Sequence, residues 1–311
     1  LFILFFFGLI YLIFSIINFE ISNTDIIVLL ASYGAASLKI IPSSLRLINY
    51  FSSISNLIPS IKEINIQLLF KNPVSKKNIE IYDKKNFVEV KNLNFSYENN
   101  NKFYLGNLNF SMRTGEIIFL KGESGIGKST LINLICGLIK LRDGKITCNN
   151  NDISQNLDNW YEGISYVSQG SRLLDDSIVN NITFANQVDQ TSLDRAIKIS
   201  NSDKFINDKD KKLDHIVGEN GSNLSGGQAQ RLILARAIYK TPKILILDEF
   251  TSALDSENEK QIFKSLEILK KDCIILISSH NSFISSISDK ILELKRSQDN
   301  YKKIYLKEVR K

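Results

Sequence analysis

A glycine-rich turn between two apolar runs restricts this chain more than any other feature. Gly122, Glu123, Ser124, Gly125, Ile126, Gly127, Lys128, Ser129 and Thr130 follow one another without interruption. The run 116–121 before them is short and apolar, as a buried strand is, and 129–135 after them has the pattern of a helix. Glycines at this spacing let backbone N–H groups converge on phosphate oxygens. Lys128 adds a point charge, and Ser129 offers a hydroxyl to Mg²⁺. The N-terminus of the following helix aims its positive end at the same oxygens. A strand, loop and helix in this order predict an α/β nucleotide-binding domain.

A second element repeats the logic about a hundred residues later. Ser225, Gly226, Gly227 and Gln228 precede a long helical pattern over 229–239. Ser225 is suited to cap that helix, and the glycines expose N–H groups beside its dipole, which makes a second anion site. The run 244–248 is wholly apolar until it ends in Asp248, followed by Glu249. A carboxylate at the end of a buried parallel strand is placed to hold hydrated Mg²⁺. Glu249 can then accept a proton from an attacking water. The apolar run 274–279 predicts another buried strand, and His280 follows it.

Taken together, these elements resemble the ABC ATPase family over roughly residues 86 to 296. The resemblance implies an α/β P-loop NTPase domain that uses ATP and Mg²⁺. It implies that adenine stacks on Tyr97, although a strand-end tyrosine in the core is the alternative. By the same resemblance Gln169 reaches Mg²⁺ and the attacking water, His280 touches the γ-phosphate, and 252–255 form a loop that crosses to a partner subunit. A solvated loop residue is the other reading of Gln169. Glu219 sits in a pattern more typical of exporter than of importer ATPases. Two positions depart from the common wording: Ala229 where a basic residue often stands, and Phe250 where a small residue or proline does. Neither carries charge chemistry, so altered packing is expected rather than lost activity. One phosphate loop and one Ser-Gly-Gly element leave a γ-phosphate short of donors on one side. The family answers with two domains facing head to tail, which implies a second half-transporter, identical or related, as partner.

The chain opens on an uncharged stretch, 1–19, long enough to cross a bilayer core. A polar turn is predicted over 20–25 and a second span over 26–48, kinked at Pro42 and running on into the cytoplasm. These resemble the last two transmembrane helices of an exporter half. The expected division is therefore 1–70 membrane domain, 71–86 linker and 87–311 ATP-binding domain. Lysines 71, 76, 77, 84 and 85 after the second span agree with the positive-inside bias. An inner-membrane, multi-pass protein with a cytoplasmic ATPase domain is expected. Exporter halves have six spans, so a piece of a longer protein is expected as well.

Composition narrows the partners. The 311 residues carry a formal charge of +6, partly from the linker and from a basic stretch at 295–311 expected to form a hairpin. Solvated basic surface near anionic lipid explains it, and no nucleic acid is expected. Cys136, Cys148 and Cys273 are isolated, which fits a reducing compartment and no metal site. His215, in a charged stretch, is expected at the surface. The stretch 36–49 resembles the last helix of bacterial lipid-linked oligosaccharide and polysaccharide flippases. Lys39, Ser43, Arg46 and Tyr50 would share one helix face, suited either to an amphipathic or anionic lipid-linked cargo or to carboxylates on other helices. A peptide, lipid or drug exporter, a non-transport ABC ATPase and a nucleotide-binding module without turnover remain alternative readings.

Overall fold

The computed structural model describes residues 2–18, 23–69, 81–97, 104–184, 187–250, 256–279, 281, 283–297 and 303–310. The chain divides into two compact units, Leu1–Val74 and Ser75–Lys311.

The first unit holds two helices, α1 (Phe2–Asn18) and α2 (Asn23–Leu69), of 17 and 47 residues. α1 carries no charge and is apolar all round, as a helix in lipid is. Its length lies at the lower end of what a bilayer core requires. Among the described residues, the stretch Thr24–Ile64 of α2 is long and apolar enough to cross a membrane. The two helices come close at Gly8, where an added Cβ would lie 2.6 Å from the Tyr33 hydroxyl. One expectation needs correction here. The polar turn is shorter than 20–25, because α2 already begins at Asn23. α2 also runs on through both Pro42 and Pro59 as one element. Each proline removes one backbone donor, and around Pro42 the hydroxyls of Ser43 and Ser44 donate to the carbonyls of Lys39 and Ile40 at 2.9 and 2.7 Å.

The second unit is built on one sheet. Its strands are β1 (Phe87–Phe95), β2 (Tyr104–Arg113), β3 (Ile117–Lys121), β4 (Asp143–Cys148), β5 (Asn151–Asp152), β6 (Ile164–Val167), β7 (Ile244–Asp248), β8 (Ile274–Ser278), β9 (Lys290–Arg296) and β10 (Lys303–Arg310). They lie in the order β5-β4-β1-β2-β10-β9-β3-β8-β7-β6. From β9 to β6 every neighbour is parallel, and β1 pairs antiparallel with β2 and β4. The expected terminal hairpin is present as antiparallel β9 and β10. Buried Lys290 anchors it, donating to the Ser111 carbonyl and lying 3.6 and 3.7 Å from Glu116 and Glu308.

Helices cover both faces of the parallel half, which is why β7 and β8 are buried along their whole length. On one face lies α3 (Lys128–Ile135), whose Leu131 and Leu134 meet Ile118, Leu120, Ile246 and Leu276. The next helix, α4 (Leu157–Glu162), packs there through Trp160. The Trp160 indole donates to the Ile135 carbonyl at 3.0 Å and stacks on Tyr82 with centroids 5.5 Å apart. The opposite face carries α5 (Ile178–Thr183), α6 (Gln190–Ile199), α7 (Asp203–Asn207), α8 (Gly226–Tyr239), α9 (Ser256–Leu269) and α10 (Ile284–Ile287). There Leu232, Leu234, Ile262 and Phe263 meet Leu245, Leu247, Ile275 and Ile277. Phe250 is absorbed by this core, edge-on to Phe263 at 6.5 Å.

Tight turns use asparagine freely. Asn149 and Asn150, both left-handed at φ 49° and 69°, make the two-residue turn between β4 and β5. Asn151 already pairs with Cys148 in β5. Of the ten non-glycine residues with positive φ among those described, six are asparagine. Gly144, at φ +91°, is a stricter case: an added Cβ would lie 2.5 Å from the Asn92 carbonyl oxygen. Gly144→Ala therefore combines backbone strain with a backbone clash and should destabilise the domain by about 2–4 kcal/mol. A lowered urea midpoint at unchanged slope checks this.

Candidate active site

Parallel pairing puts the carboxyl ends of β3, β8, β7 and β6 along one rim of the sheet. Ile118, Leu276 and Ile246 stand abreast, as do Leu245 and Ser165. Open α/β sheets bind ligands at such a rim. The loop after β3 is the glycine-rich turn, and its shape follows from its residues. Gly125 and Gly127 adopt φ +71° and +108°, which glycine takes without steric cost. Ile126 between them is buried and pins the loop to the core, while Glu123, Ser124, Gly125 and Ser129 are exposed. Lys128 is buried, and its ammonium donates to the carbonyls of Gly122 and Glu123 at 2.9 and 3.2 Å. The charge is thus held inside the loop it serves. Thr130 shares a 3.2 Å hydrogen bond with the Tyr97 hydroxyl. Tyr97 is 43% exposed and stands edge-on to Phe95 at 4.9 Å, beside a depression of about 820 Å³ that also meets Ile139 and Arg142. It belongs to the loop's surroundings, not to the core.

β7 delivers Asp248 and Glu249 to the same rim. Asp248 is buried; its Oδ2 accepts from the Tyr166 hydroxyl at 3.3 Å, and its Oδ1 is buried without a hydrogen-bond partner. Burial, and then the Asp248 carboxylate, push the Tyr166 phenol well above its ordinary value. Glu249 is half-buried with φ 52°, a strained value for glutamate, and its N–H donates to the Ser278 carbonyl at 2.9 Å. Gln169 is exposed in the turn two residues beyond β6, whose Val167 pairs with Leu247. His280 and residues 252–255 lie outside the described residues.

Ser225 caps α8 as expected, but the helix begins at Gly226 and not at Ala229. Ser225 Oγ accepts from the Gln228 N–H at 3.3 Å, and Gln228 Oε1 accepts from the Ser225 N–H at 3.0 Å. Gln228 is thus engaged in the cap. The other hydrogen bonds of this segment are local too, from the Ala229 N–H to the Ser225 carbonyl and from Arg231 to the Gly227 carbonyl. Among the described residues none reaches the phosphate loop. Ser225 and Gly226 face solvent with a helix dipole behind them.

The unpartnered Asp248 Oδ1 and the exposed Ser129 hydroxyl are hard oxygen donors that fit Mg²⁺. Among the described residues no cluster of three or more His, Cys, Asp or Glu could hold a metal alone, and Mg²⁺ commonly takes its remaining ligands from phosphates and water. The three cysteines are buried, and burial pushes each thiol up to about 12. His215 is not a surface residue: it is half-buried, and its Nε2 is buried without a partner. The bridge between Ser177 and Ile216 draws it inward while neighbouring Lys211, Lys212 and Asp214 stay exposed. Sequence reasoning also missed Arg236, which fastens α8 to α5 by donating to the Asn181 carbonyl and side chain, both at 2.7 Å. Its place one turn before the end of α8 was the only available signal.

Residues 105–252 match the family model described as ABC transporter. The ATP-dependent lipid A-core flippase of Vibrio parahaemolyticus serotype O3:K6 is 38% identical over 208 residues, covering 66% of this chain and 36% of that protein. The protein of the same description from Haemophilus influenzae strain Rd is 38% identical over 208 residues, covering 66% of this chain and 35% of that one. The match thus spans about a third of the length of these relatives. Among solved structures, a bacterial Atm1-family ABC exporter with ATP bound has a TM-score of 0.69 at 23% identity, over 97% of this chain and 52% of that one. That likeness concerns the fold.

Proposed function

This chain belongs to the ABC transporter family through its ATP-binding domain, and from that premise we propose that it is the ATP-hydrolysing part of an exporter or flippase half. The observation that carries the reading is the buried, unpartnered Asp248 Oδ1 on the same rim as the phosphate loop, with Glu249 next to it. In this reading Gly122–Thr130 wraps the phosphates, and Lys128 exchanges the carbonyls of Gly122 and Glu123 for phosphate oxygens. Ser129, Asp248 and Gln169 would hold Mg²⁺, whose charge would offset that of the β- and γ-phosphates. Glu249 takes the proton of the attacking water, His280 orients that water, and adenine rests on Tyr97. Ser225 and Gly226 are exposed, and Ser225–Gln228 bond locally, which supports a role toward a second ABC half-transporter: the Ser225–Gly227 segment of each would cap the ATP held by the other chain. Closure of such a dimer would move the membrane helices, and hydrolysis would reset them.

For the cargo we favour a lipid-linked oligosaccharide or polysaccharide precursor, carried across the inner membrane. The relatives named above are lipid A-core flippases, and α2 supplies a chemical reason. Lys39, Ser43, Arg46 and Tyr50 share one face of an unbroken helix, and all four are exposed. Two cations inside an apolar stretch are costly unless they meet water, a counter-charge or an anionic ligand. Lys39→Ala and Arg46→Ala in full-length protein in proteoliposomes should each reduce flipping and the lipid-stimulated increment of ATPase by about tenfold, the value of one charge-assisted contact. Normal flipping by both variants would count against an anionic cargo and leave peptide, neutral lipid or drug export as the better reading.

A further inference from the structure

The polar groups around Asp248 form an arrangement that the expected motifs do not include. Tyr166, Asp248 and Ser278 come from β6, β7 and β8, three consecutive neighbours in the sheet. Asp248 and Ser278 are register partners, and Tyr166 pairs with Ile246, two residues before Asp248. Side chains alternate along each strand, so these three share the face covered by α3. Tyr166 donates to Asp248 Oδ2 at 3.3 Å. Ser278 is fully buried, and its hydroxyl has no hydrogen-bond partner, like the Oδ1 of Asp248 beside it in register. Two orphaned oxygens at adjoining positions are unusual in a core, where an unmade hydrogen bond costs more than a made one contributes. Ser278 also holds Glu249, through its carbonyl.

We propose that Tyr166 and Ser278 are positioning residues for the metal carboxylate: Tyr166 occupies Oδ2, so that Oδ1 alone faces the ligand, and Ser278 supplies a hydroxyl to the same hydration shell. The inference rests on the nucleotide-site reading above. A donor on one carboxylate oxygen fixes the rotation of the group, and outer-shell partners of this kind commonly tune metal affinity 10- to 100-fold. Among the described residues the Tyr166 hydroxyl bonds to Asp248 and not to the ATP-binding loop, and phenylalanine keeps the ring, so binding of ATP without metal should be indifferent to Tyr166→Phe.

The test uses full-length protein carrying Glu249→Gln, so that turnover does not confuse binding. A fluorescent ATP analogue is titrated first without metal and then with rising Mg²⁺. Tyr166→Phe should raise the Mg²⁺ midpoint by about tenfold and leave metal-free nucleotide affinity unchanged. Ser278→Ala should raise the midpoint as well, and Ser278→Thr should restore it. An unchanged midpoint in Tyr166→Phe overturns the positioning role. Should that variant fail to fold, the smaller change Ser278→Ala decides in the same way. If the parent protein shows no Lys128-dependent nucleotide binding, the nucleotide-site reading itself falls, which is a different result from a metal midpoint that does not move.

Discussion

Glu249→Gln should leave ATP binding in place while hydrolysis drops by on the order of 10²–10⁴, the contribution expected of a general base. The substitution keeps shape and polarity and removes only the ability to accept a proton. The backbone at this position is left-handed, at φ 52°, and its N–H is held by the Ser278 carbonyl. Glutamine inherits both constraints, so any lost rate belongs to the carboxylate and not to a relaxed turn. Lys128→Ala provides the contrast. It deletes the ammonium now bonded to Gly122 and Glu123, so binding should weaken first. Phosphate release and equilibrium nucleotide binding, measured on the same preparations, separate the two. Turnover like that of the parent protein in Glu249→Gln would remove this residue from catalysis.

The next largest effect is expected at the exposed start of α8. Ser225→Arg places bulk and a long side chain where a second subunit should approach, and it also removes the cap. Ser225→Asp separates these consequences. Aspartate caps a helix as well as serine does, so α8 should keep its stability, yet its carboxylate would repel the γ-phosphate of the opposing ATP. Both variants should abolish the ATP-dependent dimer in a Glu249→Gln background. In otherwise unaltered protein they should reduce hydrolysis by roughly 10²–10³, the effect of removing one donor from developing phosphate charge. Light scattering that shows an intact ATP-dependent dimer in Ser225→Asp would exclude this surface from the interface.

How far the sequence could be read depended on how local each signal was. The strand, glycine turn and helix over 117–135 were legible because adjacent residues carry the whole argument. The same holds for β7 and β8, whose unbroken apolar runs admit little else. The start of α8 was read three residues late, because glycines suggest a loop, whereas here the reciprocal cap of Ser225 and Gln228 holds them in the first turn. Tyr166 escaped notice for a different reason. Its partner Asp248 lies 82 residues away and becomes a neighbour only through parallel strand pairing, and nothing in Ile-Ser-Tyr-Val announces that. The miss at His215 has a similar cause: the bridge beside it joins Ser177 to Ile216, residues far apart in the chain.

The asparagines in left-handed turns bear on how such a sequence can drift. Here Asn92, Asn107, Asn149, Asn150, Asn201 and Asn220 occupy backbone conformations that most side chains avoid. Asparagine tolerates these because its short amide can bond locally to the backbone. A change to most other residues at these six turns would add backbone strain that asparagine and glycine largely avoid.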